Sequence, residues 1–274
     1  MSGLSFLFTS LFLFFIGAVV GSFLNVLIER SIEGKDWLKG RSRCDFCGHQ
    51  LAWYDNIPLL SYLLLRGRCR YCHKKIHPSH ILMEVLTGAL FVWWFWGGFV
   101  LLNVFRLTQQ PFVFIQPLFW LLVSVLLLII FIYDLKYLII PESSLWLLLA
   151  TVLVYRFSLV LMGIMCSSDL TWSLVAAALA AGALSILWLI TKGRGIGLGD
   201  VKLVIPLSLL VGWQLTLVAL VLAFIIGAVI SVILLIFEKV SFGRPVPFGP
   251  YLIIGFALTL VLGHPLLDWY LSML

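Results

Sequence analysis

Long apolar runs separated by short polar stretches set the organisation of this chain. Runs near residues 5–29, 81–103, 117–134, 143–164, 171–191, 214–237 and 250–272 each come close to the roughly 20 residues that an α-helix needs to cross a hydrocarbon core. The stretch 201–212 is apolar but short, and it predicts a half-length or tilted helix that enters from Asp200 and breaks at Gly212. The pattern therefore predicts an all-α polytopic membrane protein of about eight transmembrane helices. The first run has no Lys or Arg before Arg30 and is too long for a cleavable secretory signal, so it reads as a retained helix. Only one region, roughly 30–80, is polar enough to fold outside the bilayer. The expected organisation is a first helix over 1–29, a polar module over 30–80 and a helical core over 81–274.

Composition supports this division. Of the 274 residues, 62% are hydrophobic and 11% charged, and the mean hydropathy is +1.13; a soluble domain carries about 25% charge. The net charge of +6 points to no nucleic-acid partner, because its distribution explains it. Arg30, Lys35, Lys39, Arg41, Arg43, Arg66, Arg68, Arg70, Lys74 and Lys75 all fall in the polar module, which the positive-inside rule assigns to the cytoplasm. Threading eight segments from there puts Lys136, Lys192, Arg194, Lys202, Lys239 and Arg244 on the same side, and only Arg106 and Arg156 on or towards the other. Both termini are then outside, and Asp134 and Asp200 share the cytoplasmic face. A seven-segment threading would scatter the basic residues and separate the two aspartates.

The module is too small to hold a self-sufficient core, and its cysteines suggest what staples it. Cys44-Asp45-Phe46-Cys47 and Cys69-Arg70-Tyr71-Cys72 are two tight turns that each present a pair of thiolates, the arrangement of a tetrahedral structural zinc site. In a reducing compartment structural disulfides are disfavoured. Four thiolates close the coordination shell, so catalytic zinc is not expected. His49, His73, His77 and His80 read as surface residues, and Cys166 as a small packed apolar residue.

The two aspartates carry the chemistry. Asp134 ends an apolar run and Asp200 begins another, although an ionisable group at mid-bilayer costs about 2.5–3.5 kcal/mol on insertion scales. Two carboxylates kept in such places suit a shared task, the activation of water for peptide hydrolysis, in which one acts as base and the other, protonated, donates to the scissile carbonyl. Glycines at Gly197 and Gly199 would let a substrate backbone approach. Taken singly, each aspartate has a plainer reading. Asp134 suits an interfacial residue or an ion pair with Lys136 or Lys202, and Asp200 suits a helix N-cap. Gly197, Gly199, Lys202 and Glu84 form the expected substrate-binding set, with Lys202 balancing charge near the pair. Glu84 equally suits a helix-positioning role or an interfacial cap. Glu142 fits a helix start, and Asn25 a hydrogen bond between helices.

These residues resemble, in order and along most of the chain, the bacterial prepilin peptidases, or type IV leader peptidases. The resemblance rests on Gly21-Ser22-Phe23-Leu24-Asn25-Val26 with Arg30, the two Cys-x-x-Cys pairs with Asn56-Ile57-Pro58 and Arg66-Gly67-Arg68 between them, and Glu84 with Thr87-Gly88. It continues through Asp134 with Ile140-Pro141, Gly197-Leu198-Gly199-Asp200-Val201-Lys202, and Pro247-Phe248-Gly249-Pro250. It implies an aspartyl endopeptidase of the bacterial inner membrane with Asp134 and Asp200 catalytic and Cys44, Cys47, Cys69 and Cys72 on zinc. Its substrates would be type IV prepilins or the pseudopilins of type II secretion, cut after a glycine at the cytoplasmic face. It also implies N-methylation of the new amino terminus with S-adenosylmethionine. Two rival classes remain at this stage: an ion- or proton-coupled transporter whose aspartates relay cations, and a zinc-containing adaptor without catalysis.

Overall fold

The structure is a computed structural model. It describes residues 3–32, 34, 40, 42–44, 46–105, 112–237 and 246–273, and the side chains of all of these except 3, 97–105 and 112–114. Lys35, Lys39, Arg41, Asp45, Arg106, Lys239 and Arg244, which entered the charge and motif arguments, lie outside the described residues.

The elements are α1 (Gly3–Ile32), a 3-10 turn (Trp53–Asn56), α2 (Leu60–Leu64), α3 (Ser79–Phe105), α4 (Phe112–Tyr137), α5 (Glu142–Leu161), α6 (Ser167–Thr191), α7 (Leu198–Val211), α8 (Trp213–Ile236) and α9 (Gly249–Leu271). Extended pairing among the described residues is confined to two isolated bridges, Arg43 with Gln50 and Arg68 with Lys75. Among the described residues, seven helices are long and apolar enough to cross a membrane. The eighth expected segment is α7, 14 residues long. At 1.5 Å per residue it is shorter than a hydrocarbon core of about 30 Å. Contacts divide the chain into two compact units, residues 1–125 and 126–274.

In the first unit α1 packs along α3 at very close range. A Cβ on Gly17 would sit 2.6 Å from the Thr87 carbonyl oxygen, one on Gly21 2.0 Å from Thr87 Oγ1, and one on Gly88 2.8 Å from the Phe14 ring. Gly17 and Gly21 form a small-x-x-x-small ridge of the kind that lets membrane helices approach. With the helices this close, the Asn25 amide reaches the His80 carbonyl at 3.1 Å, the interhelical bond the sequence suggests. Trp94 is buried. It stacks on Trp120 and donates to Ser124.

In the second unit α7 is buried on nearly every side, including Asp200, Val201, Leu203, Val204, Leu207 and Leu209, and it touches α5, α6, α8 and α9. A helix apolar all round belongs inside a bundle. Its ends are fixed by named groups. Gly197 is its N-cap. Gly212 ends it at φ 85, a left-handed backbone that favours glycine. Arg156 of α5 donates Nε to the Leu209 carbonyl at 2.7 Å, satisfying an acceptor that a helix end leaves open. Cys166, expected to be packed, is exposed at the N-cap of α6. It lies where the chain turns between helices, so packing cannot cover it.

Candidate active site

Asp134 sits three residues before the end of α4, and Asp200 in the first turn of α7. Both are 6% exposed. Each has one oxygen held by a backbone N–H: Gly249 donates to Asp134 Oδ2 at 3.0 Å, and Gly197 donates to Asp200 Oδ2 at 3.0 Å. The two carboxylates meet around Gly249. A Cβ there would lie 2.6 Å from Asp134 Oδ2 and 3.4 Å from Asp200 Oδ1, so these oxygens cannot be further apart than the sum of those distances. That bound leaves the two carboxylates near enough for one water molecule to bridge them. Asp200 is not the N-cap of α7, a place that Gly197 holds; it sits at the third helical position, where its Oδ2 reaches back to the Gly197 N–H while Oδ1 lies towards Gly249.

The neighbouring residues fall into different roles. Gly199 is packed from behind: its absent Cβ would be 3.1 Å from Ile140 Cβ and Cδ1, so its small size admits Ile140 from the α4–α5 connection. Gly197 is exposed, and a Cβ there would meet Asp200 Oδ2 at an ordinary 3.4 Å. Lys202 points to the surface and pairs with Glu142 in the first turn of α5, rather than with either aspartate. Gly249 holds Asp134 through its N–H and Ile140 packs behind Gly199, roles that their places in the sequence motifs do not reveal. The signals available were Pro247-Phe248-Gly249-Pro250 and Ile140-Pro141.

In the first unit the four cysteine Sγ atoms lie within 4.8 Å of one another, and Cys44 and Cys72 are 3.8 Å apart. A tetrahedral zinc with Zn–S bonds of about 2.3 Å requires sulfurs roughly 3.8 Å apart, so the donor set fits zinc. Two matching loops build it. Cys44 N donates to the His49 carbonyl at 3.0 Å and Gly48 N to the Cys44 carbonyl at 2.9 Å. Cys69 N donates to the Lys74 carbonyl at 2.9 Å and His73 N to the Cys69 carbonyl at 3.0 Å. Both turns need a left-handed residue, Gly48 at φ 68 and His73 at φ 57. Burial opposes ionisation of Cys44, but hydrogen bonds from the backbone N–H groups of Cys47 and Phe46 and from the Cys69 and Cys47 side chains together hold its thiol below the ordinary range. Glu84 also belongs to this unit. It is 8% exposed and accepts the Leu59 N–H at 2.7 Å.

Buried paired carboxylates at the ends of two helices, with seven membrane-length helices and a four-thiol cluster among the described residues, define a multi-pass membrane protein built around an acidic pair. The chain belongs to the type IV leader peptidase family. The model described as "Type IV leader peptidase family" matches residues 120–232, which include both aspartates. The model described as "Bacterial Peptidase A24 N-terminal domain" matches residues 15–97, which include all four clustered cysteines. A prepilin leader peptidase/N-methyltransferase from Stutzerimonas stutzeri is 31% identical over 301 residues, covering 94% of this chain and 92% of that protein. One of the same name from Aeromonas hydrophila is 31% identical over 297 residues, covering 98% and 96%. A third, from Myxococcus xanthus, is 55% identical over 82 residues, which span 30% of this chain but only 24% of that relative. No solved structure matches the chain.

Proposed function

We propose that this protein is an aspartyl endopeptidase of the bacterial inner membrane that removes the basic leader of type IV prepilin or pseudopilin precursors, cutting after a glycine at the cytoplasmic face. The observation that carries the reading is the meeting of Asp134 and Asp200 around Gly249. Two buried carboxylates brought together in this way favour a state with one proton between them, because like charges at short range oppose joint ionisation. The ionised member takes a proton from a water held between them, and the water oxygen attacks the scissile carbonyl. The neutral member gives its proton to the carbonyl oxygen. On collapse, the C–N bond breaks and the amine leaves with a proton returned from the pair. The N–H bonds from Gly249 and Gly197 fix one oxygen of each carboxylate, leaving the other to the substrate.

The substrate's own apolar helix would lie in the bilayer beside the bundle, with its basic leader in the cytoplasm as the positive-inside rule requires. Cys44, Cys47, Cys69 and Cys72 would hold a structural zinc, which staples a module too small to fold on its own core. The names of the full-length relatives support a second activity, N-methylation of the new amino terminus. S-adenosylmethionine, when bound, supplies an electrophilic methyl group for that amine. A transporter would need carboxylates spaced for separate proton or cation sites, and the observed proximity counts against it.

The test is incubation of the purified chain with a precursor pilin, followed by mass analysis of the products. The expected result is loss of the leader after a glycine together with a gain of one methyl group. Intact precursor after prolonged incubation with folded, zinc-loaded enzyme would overturn the reading.

A further inference from the structure

The polar module carries an apolar face that its own fold leaves open. Leu60, Leu63 and Leu64 of α2 are 51%, 66% and 72% exposed, and their i, i+3, i+4 spacing puts them on one side of the turn. The 3-10 turn that packs against α2 adds Trp53, at 79% the most exposed large apolar side chain among the described residues. Helices in lipid expose such side chains as a matter of course, but in a polar module a cluster of them marks a contact surface. The height of α2 is fixed as well. Leu59, the residue before it, donates its N–H to Glu84 Oε2 at 2.7 Å, and Glu84 lies within the apolar span Ser79–Trp96 of α3. At 1.5 Å per residue the bond falls about 7.5 Å inside the start of that span. Leu59 has φ 61, a backbone that a leucine seldom adopts. Thus α2 starts against the flank of a membrane helix, within the depth of about 5–10 Å to which interfacial helices bury their apolar sides.

The charge beside this face suits the same surroundings. Directly after α2, Arg66, Arg68, Arg70 and His73 line a cleft of about 400 Å³. Arg70 is paired with Asp55. Arg66 and Arg68 are exposed, and among the described residues no carboxylate reaches either. Leucines edged by arginines match an acyl layer bounded by phosphates. A second copy of the chain, meeting this face through a two-fold axis, would bring arginines towards arginines. We propose that α2 is an interfacial foot, with Trp53, Leu60, Leu63 and Leu64 in the lipid and Arg66 and Arg68 on the phosphate of an anionic phospholipid. The foot holds the cysteine-bearing module against the membrane surface.

Photo-crosslinking of the full chain tests it, with benzoylphenylalanine in place of Leu63, in nanodiscs of equal parts phosphatidylglycerol and phosphatidylcholine. Zinc content checks that the module is folded; where the probe at Leu63 lowers it, the same probe in place of Trp53 is used. Irradiation should attach lipid to the peptide that carries the probe, with phosphatidylglycerol favoured at least about threefold. R66Q/R68Q should bring the two lipids to equal yield while lipid capture continues. Adducts only to a second copy or to another segment of the chain would overturn the proposal, because the occupant would then be protein. Equal capture of both lipids with the arginines intact would also overturn it, since the face would then have no headgroup site. A phosphatidylglycerol preference unchanged in R66Q/R68Q would do the same by placing the anion elsewhere.

Discussion

The thiol cluster and the carboxylate pair are built in opposite ways. Each half of the cluster closes within a few residues, by bonds such as Cys44 to His49 and Cys69 to Lys74, and the two halves repeat one geometry. The carboxylate pair draws on α4, α7 and the start of α9, and one of its bonds spans 115 positions, from Gly249 to Asp134. The cluster is assembled from local turns that a metal can join. The pair exists only when a helical bundle has closed. Damage to the cluster should therefore disturb a module, and damage to the pair should stop chemistry in a protein that still folds.

The sharpest way to break this contrast is to neutralise the pair. Asp134→Asn and Asp200→Asn should each lower leader cleavage by at least about 10³-fold, with the double variant little worse, because residues acting as a unit are non-additive; zinc content should stay at the wild-type level. A single variant retaining a tenth of wild-type cleavage would mean that the two do not work together. Gly249→Ala should come next. Its Cβ would press on Asp134 Oδ2 at 2.6 Å and displace the donor N–H, for a loss on the order of 10²-fold in kcat with smaller change in KM. Cys69→Ser should remove bound zinc and expose the segment around residues 42–76 to proteolysis. It leaves the hydrogen bonds of the pair in place, so cleavage should fall less than for Gly249→Ala; an equal or greater fall would join the two regions into one functional unit. The smallest effect should be His73→Gly. Relieving a left-handed histidine at φ 57 should stabilise the module by about 1 kcal/mol at most, read as slightly slower zinc loss to a chelator.

Legibility followed the same division. The helices could be read from apolar run length, because hydrocarbon imposes one period and one minimum length on every span. The short α7 was visible for the same reason, as a run that stops at Gly212. Cys44, Cys47, Cys69 and Cys72 could be grouped from spacing alone, since each pair lies in one turn. Asp134 and Asp200 stood out as charges in apolar surroundings, yet nothing in their spacing fixed their distance. Gly199 shows where the reading reached its end: a glycine beside an aspartate suggested substrate access, whereas its absent side chain makes room for Ile140. Lys202 likewise looked like a partner for the pair and is turned away to Glu142, because a helix only 14 residues long still presents different faces to the bundle and to solvent.

The amino-acid sequence alone determined that this is a multi-span helical membrane protein with a polar module that carries two cysteine pairs, since solvent preference and turn chemistry act over a few residues at a time. Tertiary structure decided that a backbone N–H from the start of α9 holds Asp134, that Ile140 fills the space behind Gly199, and that Arg156 ties down the far end of α7. Those contacts depend on how helices distant in the chain come to rest against one another. Apolar side chains that satisfy lipid and protein neighbours equally well leave little trace of that choice in their order.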